Sequence, residues 1–314
     1  MIIRKCTSFL LLGIFFLIPL LACAAADIRF GTLPVIQCLP VFVAAERGYF
    51  KEQGITVELV PFNSSLEKDV AFTSGQISGY FGDIPTCMVL SANKVPIKIT
   101  AVVHNTTKSQ RMFALVLAPK FAGRELKDVV GNGVAVSSNT VLDFLTGKFF
   151  SIKGIPINQV KMVEIKNIPI RLQMLMVGQV AVAVLPEPLV ALSEMKGGKV
   201  LMDDGGKGWS ATVLSFHQGF LSQQPDKVRL FLKAVAKASD YINKNPKDVR
   251  AVMNRECRIP GQLKSGFPVP EFSKLVLPTS DQVDDVYRWL YQKGTIKVGV
   301  VVPYMQVVAD GYLP

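Results

Sequence analysis

From residue 28 onward, short apolar runs of period two alternate with longer stretches whose apolar positions recur at helical spacing. The first unit predicts a strand over 28–32, then a loop, a helix and a second strand over 55–60. Pro34 cannot continue the first strand, because it lacks the N–H a sheet ladder needs. Pro40 suits a first helical position, where a missing N–H is no loss. Val41, Phe42, Ala44 and Ala45 then make an apolar face, and Gly48 and Gly54 break the helix in two steps. This is a βαβ unit, and α/β folds bind ligands at its strand-to-helix loop.

The same alternation continues. Helices are expected over 66–74 and 85–92 and strands over 78–81 and 97–103, an order that implies a largely parallel sheet. Strands over 112–118, 133–136, 160–165 and 181–185 alternate with helices over 140–152, 168–176 and 188–197. Residues 105–111 and 211–216 read as crossings between two halves, 27–106 with 210–314, and 107–209. A long amphipathic helix over 225–243 follows, then a Pro/Gly-rich loop over 261–278 and a capping box at Thr279 and Gln282. Gly75-Gln76 with Pro85 is echoed by Gly178-Gln179 with Pro188, at the same spacing. The expected fold class is α/β, with two doubly wound α/β lobes joined by two crossover segments.

The 314 residues, 49% hydrophobic and 19% charged, suffice for a large core. Residues 1–26 have a different pattern: Arg4 and Lys5, an apolar run over 9–21, then small residues, as in a secretory signal peptide. Ala24-Ala25-Ala26 suits cleavage to a free protein, whereas Leu20-Leu21-Ala22-Cys23 resembles a lipobox that would place a lipid on Cys23. Cys38, Cys87 and Cys257 do not make a disulfide framework, and the spacing favours free thiols at Cys38 and Cys87 over a bridge. His104 and His217, the two histidines, are poor material for a metal site. The net charge of +11 is scattered over helix faces, which suits solvated surfaces better than a nucleic-acid stripe.

Gly31-Thr32-Leu33-Pro34, then Leu39-Pro40-Val41-Phe42-Val43-Ala44-Ala45-Glu46-Arg47-Gly48-Tyr49-Phe50, then Gly54-Ile55-Thr56-Val57 resemble the periplasmic substrate-binding proteins of ABC importers. The resemblance is to the group that binds alkanesulfonates, taurine, nitrate or thiamine-precursor pyrimidines, and it extends over nearly the whole chain after residue 26. Ser78 and Ala181 depart from it, standing where that group often has an acidic residue. The resemblance implies the type II periplasmic binding protein fold. It implies a monomer that closes on a small polar, anionic molecule such as a sulfonate, nitrate or a pyrimidine. It also implies delivery to a permease with its ATPase in the inner membrane, with no catalysis and no cofactor.

Ser137, Ser138, Asn139 and Thr140 open a helix, where hydroxyls and free N–H groups suit a sulfonate or carboxylate; ordinary capping is the alternative. Asn63 and Ser64 form the matching loop of the first half. Asp83 and Glu187 either cap the helices they precede or accept from a ligand amine. Gln37, Cys38 and Leu39 in the opening loop and Asn105 at the first crossing complete the candidate set. Phe62, Tyr80 and Trp209 are candidate aromatic contacts, with core packing favoured for Tyr80, and His104 is read as structural. Two other readings remain: a secreted enzyme of this bilobed fold, with Asp83 and Glu187 as acid and base, and a ligand-sensing receptor subunit.

Overall fold

In a computed structural model, which describes residues 26–108 and 110–314, ten strands form two sheets of five. In chain order they are β1 (Ile28–Thr32), β2 (Val57–Pro61), β3 (Gly79–Asp83), β4 (Ile97–His104), β5 (Phe113–Leu117), β6 (Val134–Val136), β7 (Met162–Glu164), β8 (Val182–Pro186), β9 (Lys199–Asp203) and β10 (Thr212–His217). The signal-peptide reading and its two cleavage alternatives fall outside the described residues, except for Ala26. Among the described residues no helix is long and apolar enough to cross a membrane.

The sheet orders are β2-β1-β3-β10-β4 and β7-β6-β8-β5-β9. The two halves therefore repeat one plan, and neither sheet is all-parallel. In each, the fourth strand runs antiparallel and comes from across a crossing: β5 enters the second sheet after β4 of the first, and β10 returns to the first after β9 of the second. The expected parallel order is broken because a crossing chain arrives from the far side.

Apolar side chains cover both faces of each sheet. One cluster runs from Phe30, Phe81 and Phe216 in the first sheet to Leu115, Val134 and Val184 in the second. The opposite face of the first sheet carries Tyr80, Ile99 and Val213, packed by Phe72 of the helix Ser65–Thr73 and by Val283, Val286 and Leu290 of the helix Ser280–Gln292. The opposite face of the second carries Ala114, Val116, Ala135 and Leu185. The helix Pro225–Lys244 starts on a proline and buries Val228, Phe231, Leu232, Val235, Ala238 and Ile242, an i, i+3, i+4 stripe. Phe231 fixes it to the first sheet, 4.6 Å from the Phe30 ring and 4.9 Å from that of Phe50.

The crossings are tied to each other. Buried Asp204 accepts from the Met112 and Phe113 N–H groups at 2.8 and 2.9 Å, and from the Ser210 hydroxyl. The Thr106 hydroxyl donates to the Asp204 carbonyl at 3.1 Å. One carboxylate thus joins the chain leaving the first sheet to the chain returning to it.

Candidate functional site

Between the sheets lies a cavity of about 50 Å³, lined by Gln37, Asp83, Thr140 and Arg171 with apolar Leu33 and Phe113 among its walls. Each polar group reaches it for a local reason. After β1, Pro34 ends the ladder, and a short 3-10 turn, Ile36–Cys38, leads into the helix Leu39–Glu46. That turn buries Gln37 to 1% exposure, and neither its amide nitrogen nor its amide oxygen has a partner. An unsatisfied buried polar group costs about 1–3 kcal/mol, so this side chain is held ready for a partner the protein does not supply.

Arg171 sits on the helix Ile168–Met176, which Asn167 caps by accepting from Ile170 N–H at 3.1 Å. It is completely buried. Nε and Nη2 donate to the Ile165 carbonyl at 3.0 and 2.7 Å, and Nη1 to the Val184 carbonyl at 3.1 Å. Among the described residues it forms no ion pair with a carboxylate. Burial lowers its pKa to about 10, so it remains charged at neutral pH. Its charge is balanced by carbonyl dipoles and, without a direct ion pair, by the Glu164 carboxylate, which favours the charged form.

Asp83 ends β3 and caps the helix Ile84–Ala92 through Thr86 N–H at 2.8 Å, and the Val141 N–H of the second half also favours its charged form. Burial pushes its carboxyl upward, while the helix N–H groups and the nearby Lys68 ammonium oppose the rise. Lys68 is itself fully buried, 2.5 Å from Asp69 and 3.2 Å from the centre of the Tyr80 ring.

The serine-rich helix start is largely occupied by the protein itself. Thr140 caps the helix Val141–Ile152 through Leu142 N–H. Ser138 gives its N–H and hydroxyl to Glu164, and Asn139 N–H donates to Asp143 at 2.7 Å. The Asn139 side chain accepts from Lys293 and Thr295, both at 3.1 Å. Ser137 and Thr140 line the cavity, whereas Ser138 and Asn139 line only a wider groove of about 550 Å³ at its mouth. Lys166 borders both.

The remaining candidates lie elsewhere. Cys38 and Leu39 turn into the core at 0% exposure, and burial drives the Cys38 thiol well above its ordinary pKa. All three described cysteines are free thiols. Ser64 caps the helix Ser65–Thr73, and the Asn63 side chain accepts from Arg258 at 2.7 Å. Asn105 bonds within the crossing, to Gly208 and Thr106. Glu187 is held by Arg111 Nε at 2.7 Å and by Ala191 N–H at 3.1 Å, and it lines a different pocket from Asp83. The two carboxylates therefore do not face one cavity as an acid–base pair would. Tyr80 is buried in the core. Arg171 and Lys166 were absent from the candidate set. Arg171 was legible in principle: it falls on the same helical face as Ile168 and Leu175, where a charge has no structural reason to be.

A family model described as the NMT1-like family matches residues 23–255. The alkanesulfonate-binding protein SsuA from Xanthomonas axonopodis pv. citri, bound to MOPS, superposes with a TM-score of 0.77 at 13% identity, over 89% of this chain and 97% of that one. A ligand-binding component of an ABC-type import system from Staphylococcus aureus, with zinc bound, gives 0.73 at 16%, over 90% and 96%. The periplasmic nitrate-binding protein NrtA from Synechocystis PCC 6803 gives 0.72 at 13%, over 87% and 82%. A comparison with curated proteins finds no match. At such identities the superpositions establish a shared fold, that of the periplasmic binding proteins. With the family model spanning most of its length, the chain belongs to the NMT1-like family.

Proposed function

We propose that this chain is the extracytoplasmic solute-binding component of an ABC importer, and that it captures a small polar anion by closure of its two halves. The observation that carries the reading is the cavity itself, where a buried guanidinium in no direct ion pair and an unpartnered carboxamide border space between the sheets. The proteins it superposes on, named for sulfonate and nitrate binding, support it. The moving bodies are 27–106 with 210–314, and 107–209, hinged at the two crossings. The anion belongs on Arg171 and Gln37, with Ser137, Thr140 and Asp83 around it. Delivery is to an inner-membrane permease with its ATPase, from a monomer in the periplasm, either free or lipid-anchored through Cys23. Closure would be selected by ligand contacts made to both halves at once.

The test is a thermal-shift screen of sulfonates, nitrate, carboxylates and pyrimidines against the purified chain. A ligand at 100 times its Kd stabilises the fold by about 2.7 kcal/mol. The expected result is a rise in Tm with at least one anion, lost in Arg171→Gln. No shift from any anion would sink the anion preference. Turnover of the bound compound would instead favour an enzyme.

A further inference from the structure

We infer that the apolar pocket beside the cavity is a second subsite, and that it takes a ring-sized apolar group carried by the anion bound at Arg171 and Gln37. This rests on the solute-binding reading. The pocket, about 270 Å³, is lined by Pro34, Pro169, Pro186, Pro188 and Pro260, with Leu172 and Leu189. It adjoins the cavity, with Val35, Ile168 and Pro186 bordering both.

Proline side chains are rigid and their nitrogens carry no hydrogen, so this wall is preformed and offers few donors. Of the polar groups at its edge, Glu187 is engaged by Arg111 and the Ala191 N–H and Asn63 by Arg258, whose exposed guanidinium stands at the rim. Its inner wall is apolar, with Arg258 at the rim, whereas the cavity holds unpartnered Gln37. The volumes agree with this division. An apolar cavity of ~150 Å³ holds benzene, so about 270 Å³ has room for a substituted ring. The cavity of about 50 Å³ takes little more than a head group. One helical turn serves both compartments, because Arg171 borders the cavity while Ile168 and Leu172 border the pocket. The groove at the cavity's other end is a poorer host, being wider and bordered by Asp69, Ser138 and Lys166.

The experiment is calorimetric titration of the full chain with methanesulfonate against benzenesulfonate, and acetate against benzoate. Burying a ring should tighten binding roughly 10- to 100-fold within a pair. In Leu172→Asn the ring compound should fall back to within about threefold of its small partner, with the small anion unchanged. Leu172→Trp, which fills the pocket, should do the same should the asparagine variant not fold. Val70→Asn, in the outer groove, should leave the ring's advantage intact. Equal binding within both pairs overturns the subsite and leaves anion capture standing. An advantage lost in Val70→Asn but kept in both Leu172 variants also overturns it. No binding by either pair overturns the subsite together with the anion reading.

Discussion

Gln37 matters for the hydrogen-bond partners it lacks, and Arg171 for the absence of a direct ion pair. Replacing Gln37 with leucine removes two unsatisfied atoms while keeping most of the packed volume. Gln37→Leu should therefore raise stability by about 1 kcal/mol while weakening ligand-induced stabilisation. Urea unfolding with and without an anion measures both, and a variant that loses stability would place Gln37 among structural residues. His104 is also buried with both ring nitrogens unpartnered, packed against Phe272 at 5.2 Å. Burial holds its pKa down to about 4, whereas an unfolded histidine titrates near 6.5. Between those values the unfolded chain binds the proton and the folded one does not. The resulting stability is full above about pH 6.5 and is lost as pH falls through 4, on the order of 3 kcal/mol in all. His104→Leu should flatten that part of the pH profile in urea titrations run from pH 7 to 4. An unchanged slope would show that carboxylates account for the acid loss.

At the scale of elements, the glycine echo read from the sequence is a helix stop with one backbone solution. Gly75 and Gly178 follow the helices Ser65–Thr73 and Ile168–Met176 with φ of +76° and +77°, and open space lies where a Cβ would sit. Gly75→Ala and Gly178→Ala should each destabilise by about 1–2 kcal/mol through backbone strain alone, read by chemical denaturation. Asn139 adopts the same left-handed region at φ +62°, but its side chain is engaged by Lys293 and Thr295. Asn139→Gly loses the bonds alone, and Asn139→Ala loses the bonds and adds strain, so the alanine variant should be the less stable by about 1 kcal/mol. Equal stabilities would mean the backbone relaxes.

Much of this layer was legible. The helix Ile168–Met176 and the capping box at Thr279 stand where the spacing put them. The edge strand β9 did not announce itself, because Lys199–Asp203 follows a glycine pair directly, with no alternation and no turn of its own. The site was half legible. Gln37 and Asp83 follow from the strand-to-loop grammar of α/β folds. The engagement of Ser138 by Glu164 and of the Asn139 side chain by Lys293, and the lack of a partner at Gln37, depend on residues distant in sequence, and a local pattern carries no such information.

For the whole molecule, the late return of β10 makes the halves unequal. All five strands of the second sheet, β5 to β9, come from 107–209, whereas the first sheet needs β10 and the helix Pro225–Lys244 from beyond it. A fragment of residues 107–209 should therefore melt cooperatively by itself, and a fragment of 27–106 should not, with circular dichroism as the readout. Two unfolded fragments would show that the second half depends on the helix Ser280–Gln292, through contacts such as Phe144 on Trp289 at 5.4 Å.

The late arrival of β10 also has a meaning for biosynthesis. As the chain leaves the ribosome, β3 and β4 appear more than a hundred residues before the strand that separates them. At roughly 5–20 residues per second, their facing edges stay open for several seconds or longer. The nascent chain thus carries two unprotected edges through most of its synthesis, the state in which holding chaperones bind and wrong pairings form. The first half closes only after the second has been made, so the last strand to enter either sheet is the one that seals the segment made first.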